Sequence, residues 1–90
     1  MRRATRVYFV QAGYEGPIKI GFSSDPAARL RALQVSSAVP LRLLATMTGG
    51  RREEYELHDR FQRHRLEGEW FEPAAPILEY VARLLALRGP

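Results

Sequence analysis

The sequence contains no cysteine, a single lysine and no long apolar run. Without cysteine there is no disulfide, no thiolate zinc site and no cysteine nucleophile. No segment approaches the roughly 20 apolar residues of a membrane helix, and no signal-peptide pattern is present. These absences predict a soluble, cytoplasmic protein that has no membrane partner and is stabilised by packing alone.

Arginine supplies nearly all of the positive charge. Of the 14 basic residues, Lys19 is the one lysine, and the net charge is +4. Arginine stays protonated and pairs with phosphates, and each such contact releases counterions from a nucleic acid. The composition therefore favours a polyanionic partner. The alternative is a basic protein with no such partner, because net charge bears on association and not on fold.

The order of predicted elements gives the fold class. Ninety residues that are 46% hydrophobic predict a single domain over residues 1–90. Composition and turn residues predict strands at Arg6 to Gln11, Ile18 to Phe22 and Leu41 to Met47, and helices at Pro26 to about Gln34, Arg51 or Arg52 to about Arg63, and from about Ala74. The segment LEGEWFEP is expected to be extended or looped. The order β-β-α-β-α-α predicts an α+β fold, a three-stranded antiparallel sheet flanked by helices.

Four side chains suit phosphodiester hydrolysis, which needs a group to activate water, positive charge for the phosphate and usually a hard metal. Tyr8 and Lys19 lie on adjacent predicted strands. Arg29 lies one turn into the first helix, and Glu54 opens the second. We expect all four to converge on one solvent-accessible face.

Short motifs in the same places resemble those of the GIY-YIG nucleases. The matching residues are Val7, Tyr8 and Phe9, then Lys19, Ile20 and Gly21, then Arg29, then Glu54, Leu57, His58 and Phe61, and finally Gly68, Glu69, Trp70 and Phe71. Together they resemble the E-x-x-L-H-x-x-F and GEWF pattern of the small phage- and bacterial-type branch. Two of these positions depart from the family pattern, since Val7 stands in place of the isoleucine and Lys19 in place of the second tyrosine.

The resemblance implies a metal-dependent endonuclease that cleaves DNA by a one-metal mechanism. Tyr8 would help to activate water, Arg29 would hold the phosphate, and Glu54 would be the single protein ligand of Mg²⁺ or Mn²⁺. Magnesium keeps several waters and takes phosphate oxygens, so one protein carboxylate can suffice. A phenol needs nearby positive charge to act as a base at neutral pH, and Lys19 and Arg29 are expected to supply it. Lys19 could instead hold the water or donate to the phosphate.

Each of these residues also has a structural interpretation. Tyr8 could be a core tyrosine with a satisfied hydroxyl, and Arg29 an exposed helix arginine. Glu54 could serve the helix N-terminus, where Glu53 and Glu56 compete for the ligand role.

Two further residues are assigned to substrate binding. Arg31 lies outside the apolar stripe of the first helix. His58 is interpreted as a histidine at the edge of the core or in contact with a phosphate. His58 and Glu54, four residues apart, could alternatively share a metal.

Three functions remain in competition at this point. The leading one is a DNA endonuclease with low intrinsic specificity, or with specificity supplied by a protein partner, because no sequence-reading motif accompanies the domain. RNA is the alternative substrate. The second is a nucleic-acid-binding module that has lost efficient cleavage, for which Lys19 is the main argument. The third is a protein-interaction domain, since fold likeness alone does not establish activity.

Overall fold

The secondary structure follows the predicted elements in most of the chain and adds two strands near its end. The computed structural model describes residues 4–87. The strands are β1 at Arg6–Ala12, β2 at Ile18–Ser23, β3 at Leu41–Thr48, β4 at Arg65–Glu67 and β5 at Trp70–Phe71. The helices are α1 at Pro26–Val35, α2 at Arg51–Arg60 and α3 at Ala75–Leu87, with a short 3-10 helix at Gln62–His64.

All five strands form one antiparallel sheet in the order β3-β1-β2-β5-β4. The prediction of an α+β fold is confirmed, but the prediction of a three-stranded sheet and of the order β-β-α-β-α-α was wrong. The segment LEGEWFEP supplies the missing strands, because Phe71 and Trp70 pair with Ile18 and Lys19 of β2. Gly68, at φ 56°, makes the turn between β4 and β5 in a conformation that favours glycine.

The core lies on one face of the sheet, against α2 and α3. Its buried side chains are Val7, Phe9, Ile18, Ile20, Ala45, Leu57, Phe61, Phe71, Ile77 and Val81. Since side chains alternate along a strand, Tyr8 and Val10 on β1 and Lys19 and Gly21 on β2 point to the opposite face. The sheet thus separates the core from the residues that were predicted to carry chemistry on β1 and β2.

The N-termini of two helices are fixed by carboxylates. At α1, Asp25 Oδ1 accepts from the Ala28 backbone N–H at 3.1 Å, and Pro26 is the first helical residue, as predicted. At α2, Glu53 Oε1 accepts from the Gly50 N–H at 2.7 Å. This contact leaves the neighbouring Glu54 free of any capping function.

Helix α2 contacts β2 on the same edge as β5, directly after the residues that pair with β5. β5 pairs only with Ile18 and Lys19. The next residue, Ile20, has its carbonyl oxygen 2.8 Å from His58 Nε2. This hydrogen bond holds α2 beside the second half of β2, and Glu54 lies one helical turn before His58.

Candidate active site

The Tyr8 ring lies across the backbone of Gly21. The two residues face each other in the β1–β2 pair, and Tyr8 is only 2% exposed. A Cβ atom at Gly21 would lie 2.4 Å from the Tyr8 hydroxyl oxygen and 2.6 Å from Cζ, far inside any van der Waals contact. Glycine is therefore required at position 21 by space, because only a residue without a side chain lets the ring lie flat on β2.

The hydroxyl of Tyr8 reaches solvent although its ring is buried. Within residues 4–87 the Tyr8 hydroxyl has no hydrogen-bond partner. Every buried side-chain oxygen or nitrogen in that range does have a partner. The Tyr8 oxygen is therefore not buried and is accessible to solvent. Tyr8 is thus not the core tyrosine with a satisfied hydroxyl that was the structural alternative.

Burial has the largest effect on the ionisation of Tyr8. Its pKa is raised to about 12, by burial first and then by the carboxylates of Glu69 and Glu54, while the Arg29 guanidinium opposes the rise. Arg29 lowers the pKa of Tyr8, as expected, but burial outweighs it, so the expectation of a more acidic phenol was wrong in its net direction. Tyr8 is a neutral hydroxyl at neutral pH, suited to hydrogen bonding with water or phosphate.

Lys19 is held by a carboxylate that the sequence did not single out as a site residue. Its Nζ lies 3.1 Å from Glu69 Oε1 and 5.4 Å from the centre of the Trp70 ring. Glu69 and Trp70 are brought there by the β2–β5 pairing. The signal was present in the GEWF segment, but its glutamate had no assigned function.

Glu54 faces the same group of charges. Burial raises the pKa of its carboxyl group, the nearby Glu69 carboxylate raises it further, and His58, Arg51 and Lys19 oppose the rise. By contrast, the hydrogen bond from the Gly50 N–H lowers the pKa of Glu53, which serves its own helix terminus. Of the two first-turn glutamates in α2, Glu54 is the one whose charge interacts with Tyr8, Lys19 and Glu69.

His58 and Arg31 differ in how they relate to this cluster. His58 is buried, its Nε2 donates to the Ile20 carbonyl oxygen, and its ring packs 5.1 Å from that of Phe71. Arg31 is exposed on α1 and makes no side-chain hydrogen bond or ion pair within the described part of the chain. The substrate-binding roles assigned to both residues stay predictions.

The donor set fits a hard cation that needs few protein ligands. No group of three or more His, Asp or Glu side chains in residues 4–87 is arranged to hold a metal ion. However, Glu54 and Glu69 lie close enough for the charge of one to raise the pKa of the other. Two carboxylates with an unfavourable mutual interaction suit Mg²⁺, which completes its coordination with water and phosphate oxygens.

Comparison with known families places the chain in one of them. The model of the T5orf172 domain matches residues 5–86. The chain belongs to the T5orf172 domain family. No curated protein and no solved structure matches it significantly.

The T5orf172 assignment corrects the resemblance that the motifs had indicated. No GIY-YIG family model matches the chain, and the prediction of membership in that superfamily was wrong. The motifs behind it are short, and Val7 and Lys19 already depart from the pattern.

None of the helices that the structure describes is long and apolar enough to cross a membrane.

The raised pKa of Glu54 makes the stability of this T5orf172 domain depend on pH in a defined direction. An ionised Glu54 is unfavourable in the folded state, so its effect is present above the folded pKa and absent below the unfolded one. We expect Glu54→Gln to raise the melting temperature at pH 7.5 and not at about pH 3.5, below the ordinary glutamate pKa. Thermal melts of both proteins measure this, with Glu56→Gln as the exposed control. An equal gain at both pH values would contradict it.

Proposed function

We propose that this T5orf172 domain is a metal-dependent endonuclease that hydrolyses DNA phosphodiester bonds. The proposed site consists of Tyr8, Lys19, Arg29, Glu54 and Glu69. The observation that carries the proposal is the Tyr8 hydroxyl, which reaches solvent from a buried ring and is acted on by the Arg29 cation and by the Glu54 and Glu69 carboxylates. Such a mixture of one fixed hydroxyl, cations and carboxylates is what water attack on a phosphodiester requires. Membership in the T5orf172 family and the net charge of +4 are compatible with nucleic-acid binding.

Each side chain has a distinct task in this proposal. The exposed Arg29 guanidinium binds the scissile phosphate. The Tyr8 hydroxyl holds the attacking water by a hydrogen bond, since a phenol with a pKa of about 12 stays protonated at neutral pH and cannot accept the proton of the water. Lys19 brings a second positive charge, and Glu54 would hold Mg²⁺ or Mn²⁺. When bound, that cation stabilises the charge that develops on the leaving oxygen.

A nucleic-acid-binding module without efficient cleavage is the second candidate, and two observations favour it. Lys19 is neutralised by Glu69 at 3.1 Å, and the pKa of Tyr8 is raised to about 12. Both features would slow water activation while leaving Arg29 exposed for a phosphate.

Plasmid cleavage separates the two functions. Pure protein is incubated with supercoiled DNA in Mg²⁺, in Mn²⁺ and in EDTA, and nicked and linear products are measured. Cleavage in either metal and not in EDTA supports the endonuclease. Absence of cleavage, with binding of labelled single- or double-stranded DNA that weakens steeply with salt, supports the binding module. RNA is tested in the same way, and absence of binding to any nucleic acid at about 50 mM salt overturns both proposals.

Lys19→Met tests whether the lysine takes part in hydrolysis. We expect cleavage to fall by about a hundredfold, the usual effect of removing one charge-stabilising group, with the fold intact. Initial rates of plasmid nicking and thermal melts measure the two effects. Lys19→Arg, which keeps the charge, is the matched control.

A double variant distinguishes direct action from neutralisation of Glu69. If Lys19 merely balances Glu69, the Lys19→Met/Glu69→Gln protein should regain the parental rate. If Lys19 acts on phosphate or water, the double variant stays slow. A parental rate in Lys19→Met alone would show that the lysine has no part in hydrolysis.

A further inference from the structure

A cavity lies beside α2, close in sequence to Glu54. It has a volume of about 250 Å³ and is lined by Tyr55, His58, Asp59, Gln62 and Arg65. His58 connects the cavity with Glu54, since it lines the cavity and lies four residues after Glu54 on α2. Residues four apart on a helix have Cβ atoms about 5–6 Å from each other, so the cavity begins about one helical turn from Glu54.

The polar groups of the cavity are available to a ligand. The side chains of Asp59 and Gln62 make no hydrogen bond within residues 4–87. Tyr55 is 71% exposed. Arg65 is held in place because its Nε donates to the Gly68 carbonyl oxygen at 2.6 Å and its guanidinium lies 5.9 Å from the centre of the Phe71 ring. Within residues 4–87 its two terminal nitrogens have no hydrogen-bond partner.

We propose that this cavity binds an unpaired guanine base next to the scissile phosphate. The proposal rests on the proposed function in taking nucleic acid as the ligand. An exposed tyrosine offers a face for stacking, and bases stack on aromatic side chains in nonspecific single-strand binding. A base that is still paired in a duplex cannot enter a cavity in the protein surface, so the ligand is a single-stranded or extruded nucleotide.

The identity of the base follows from the donors and acceptors. The carboxylate of Asp59 only accepts hydrogen bonds. Among the four bases, guanine alone presents two adjacent donors on its pairing edge, the N1–H and the N2 amino group, to two carboxylate oxygens. Guanine also presents O6 and N7, the acceptors that arginine binds. Thymine has a single donor between two carbonyl oxygens, which an aspartate repels.

Binding measurements in EDTA test the proposal without any hydrolysis. The probes are labelled thymine oligonucleotides in which one central base is guanine, adenine, cytosine or thymine, at about 50 mM salt. We expect the guanine probe to bind the parent protein at least about fivefold tighter than the others, the lower end of one base contact. Asp59→Asn should lose this preference, and Tyr55→Ala should weaken binding of the guanine probe by at least about fivefold. Glu56→Gln, an exposed change on the same helix, should leave the preference unchanged.

Each outcome of this experiment decides the question. Equal binding of all four probes by the parent, or an unchanged guanine preference in Asp59→Asn, overturns the guanine subsite while plasmid cleavage can still stand. A guanine preference that Asp59→Asn removes supports the subsite even where the parent cleaves nothing, in which case only the proposed hydrolysis fails. Asp59 and Tyr55 are exposed, so thermal melts of both variants are expected to match the parent.

Discussion

Glu54→Gln should abolish metal-dependent hydrolysis while DNA binding stays at the parental level or becomes slightly tighter. Removing the proposed protein ligand of a hard cation removes the charge stabilisation that the cation supplies, an effect of about 10²–10³ in rate even for a single stabilising group. Binding is spared because the change deletes a negative charge beside the phosphate. Rates of plasmid nicking in Mg²⁺ and Mn²⁺, together with titrations of labelled DNA in EDTA, measure both effects.

Two neighbouring glutamates provide the controls for this variant. Glu53 accepts from the Gly50 N–H at its own helix terminus, and glutamine can replace it there. Glu56 is exposed on the same helix. Glu53→Gln and Glu56→Gln should therefore cleave like the parent. Parental cleavage by Glu54→Gln itself would remove Glu54 from the mechanism and leave the binding function in its place.

Gly21→Ala should cost both stability and cleavage, although it adds a single methyl group. The new Cβ would lie 2.4 Å from the Tyr8 hydroxyl oxygen, so the buried ring must move from its position on Gly21. Overpacking of this kind costs about 1–3 kcal/mol, and each kcal/mol lowers the melting temperature by about 4–8 °C in a domain of this size. The displaced hydroxyl should also lower the rate of plasmid cleavage well below what the loss of stability explains.

A double-mutant cycle with Tyr8→Ala tests the cause of this effect. Once the ring is gone, the methyl group at position 21 meets no steric conflict, so Gly21→Ala should cost little in the Tyr8→Ala background. Free energies of unfolding from urea titrations give the coupling between the two positions. If the two single costs simply add, Tyr8 and Gly21 do not interact, and the positioning of the hydroxyl has another origin.

The longer elements of the fold could be predicted from the sequence because each carries its own local signal. β1 and β2 have β-branched and aromatic residues on both sides of a glycine-containing turn, and Asp25 followed by Pro26 marks the start of α1. β4 and β5 have three and two residues, too few for an alternating pattern. Their strand structure comes from pairing with β2 and with each other, a tertiary effect that no local window contains.

The sequence supplied candidate residues for the site but not their electrostatics. Order and spacing along the chain singled out Tyr8, Lys19, Arg29 and Glu54, and their functional roles stay predictions. In the structure, Arg29 and Glu54 act on the pKa of Tyr8, and Lys19 acts on the pKa of Glu54. The sequence did not show that Lys19 turns to Glu69, because this contact depends on the unpredicted β5. Nor did the sequence show how deeply the Tyr8 ring is buried, and this burial, with Glu69 and Glu54 adding to it, raises the tyrosine pKa against the expected direction.

Because lysine is so scarce, modification by amine-reactive reagents can report on a single position of the site. Lys19 is the one lysine of the sequence, and its side chain is 15% exposed beside Glu69. An acylating reagent therefore has two kinds of target in this sequence, this ammonium group and the terminal amine, and acylation of Lys19 removes its charge. A nucleic acid that engages Lys19 shields it, so the extent of acylation, read by mass spectrometry of one peptide, reports occupancy of the site.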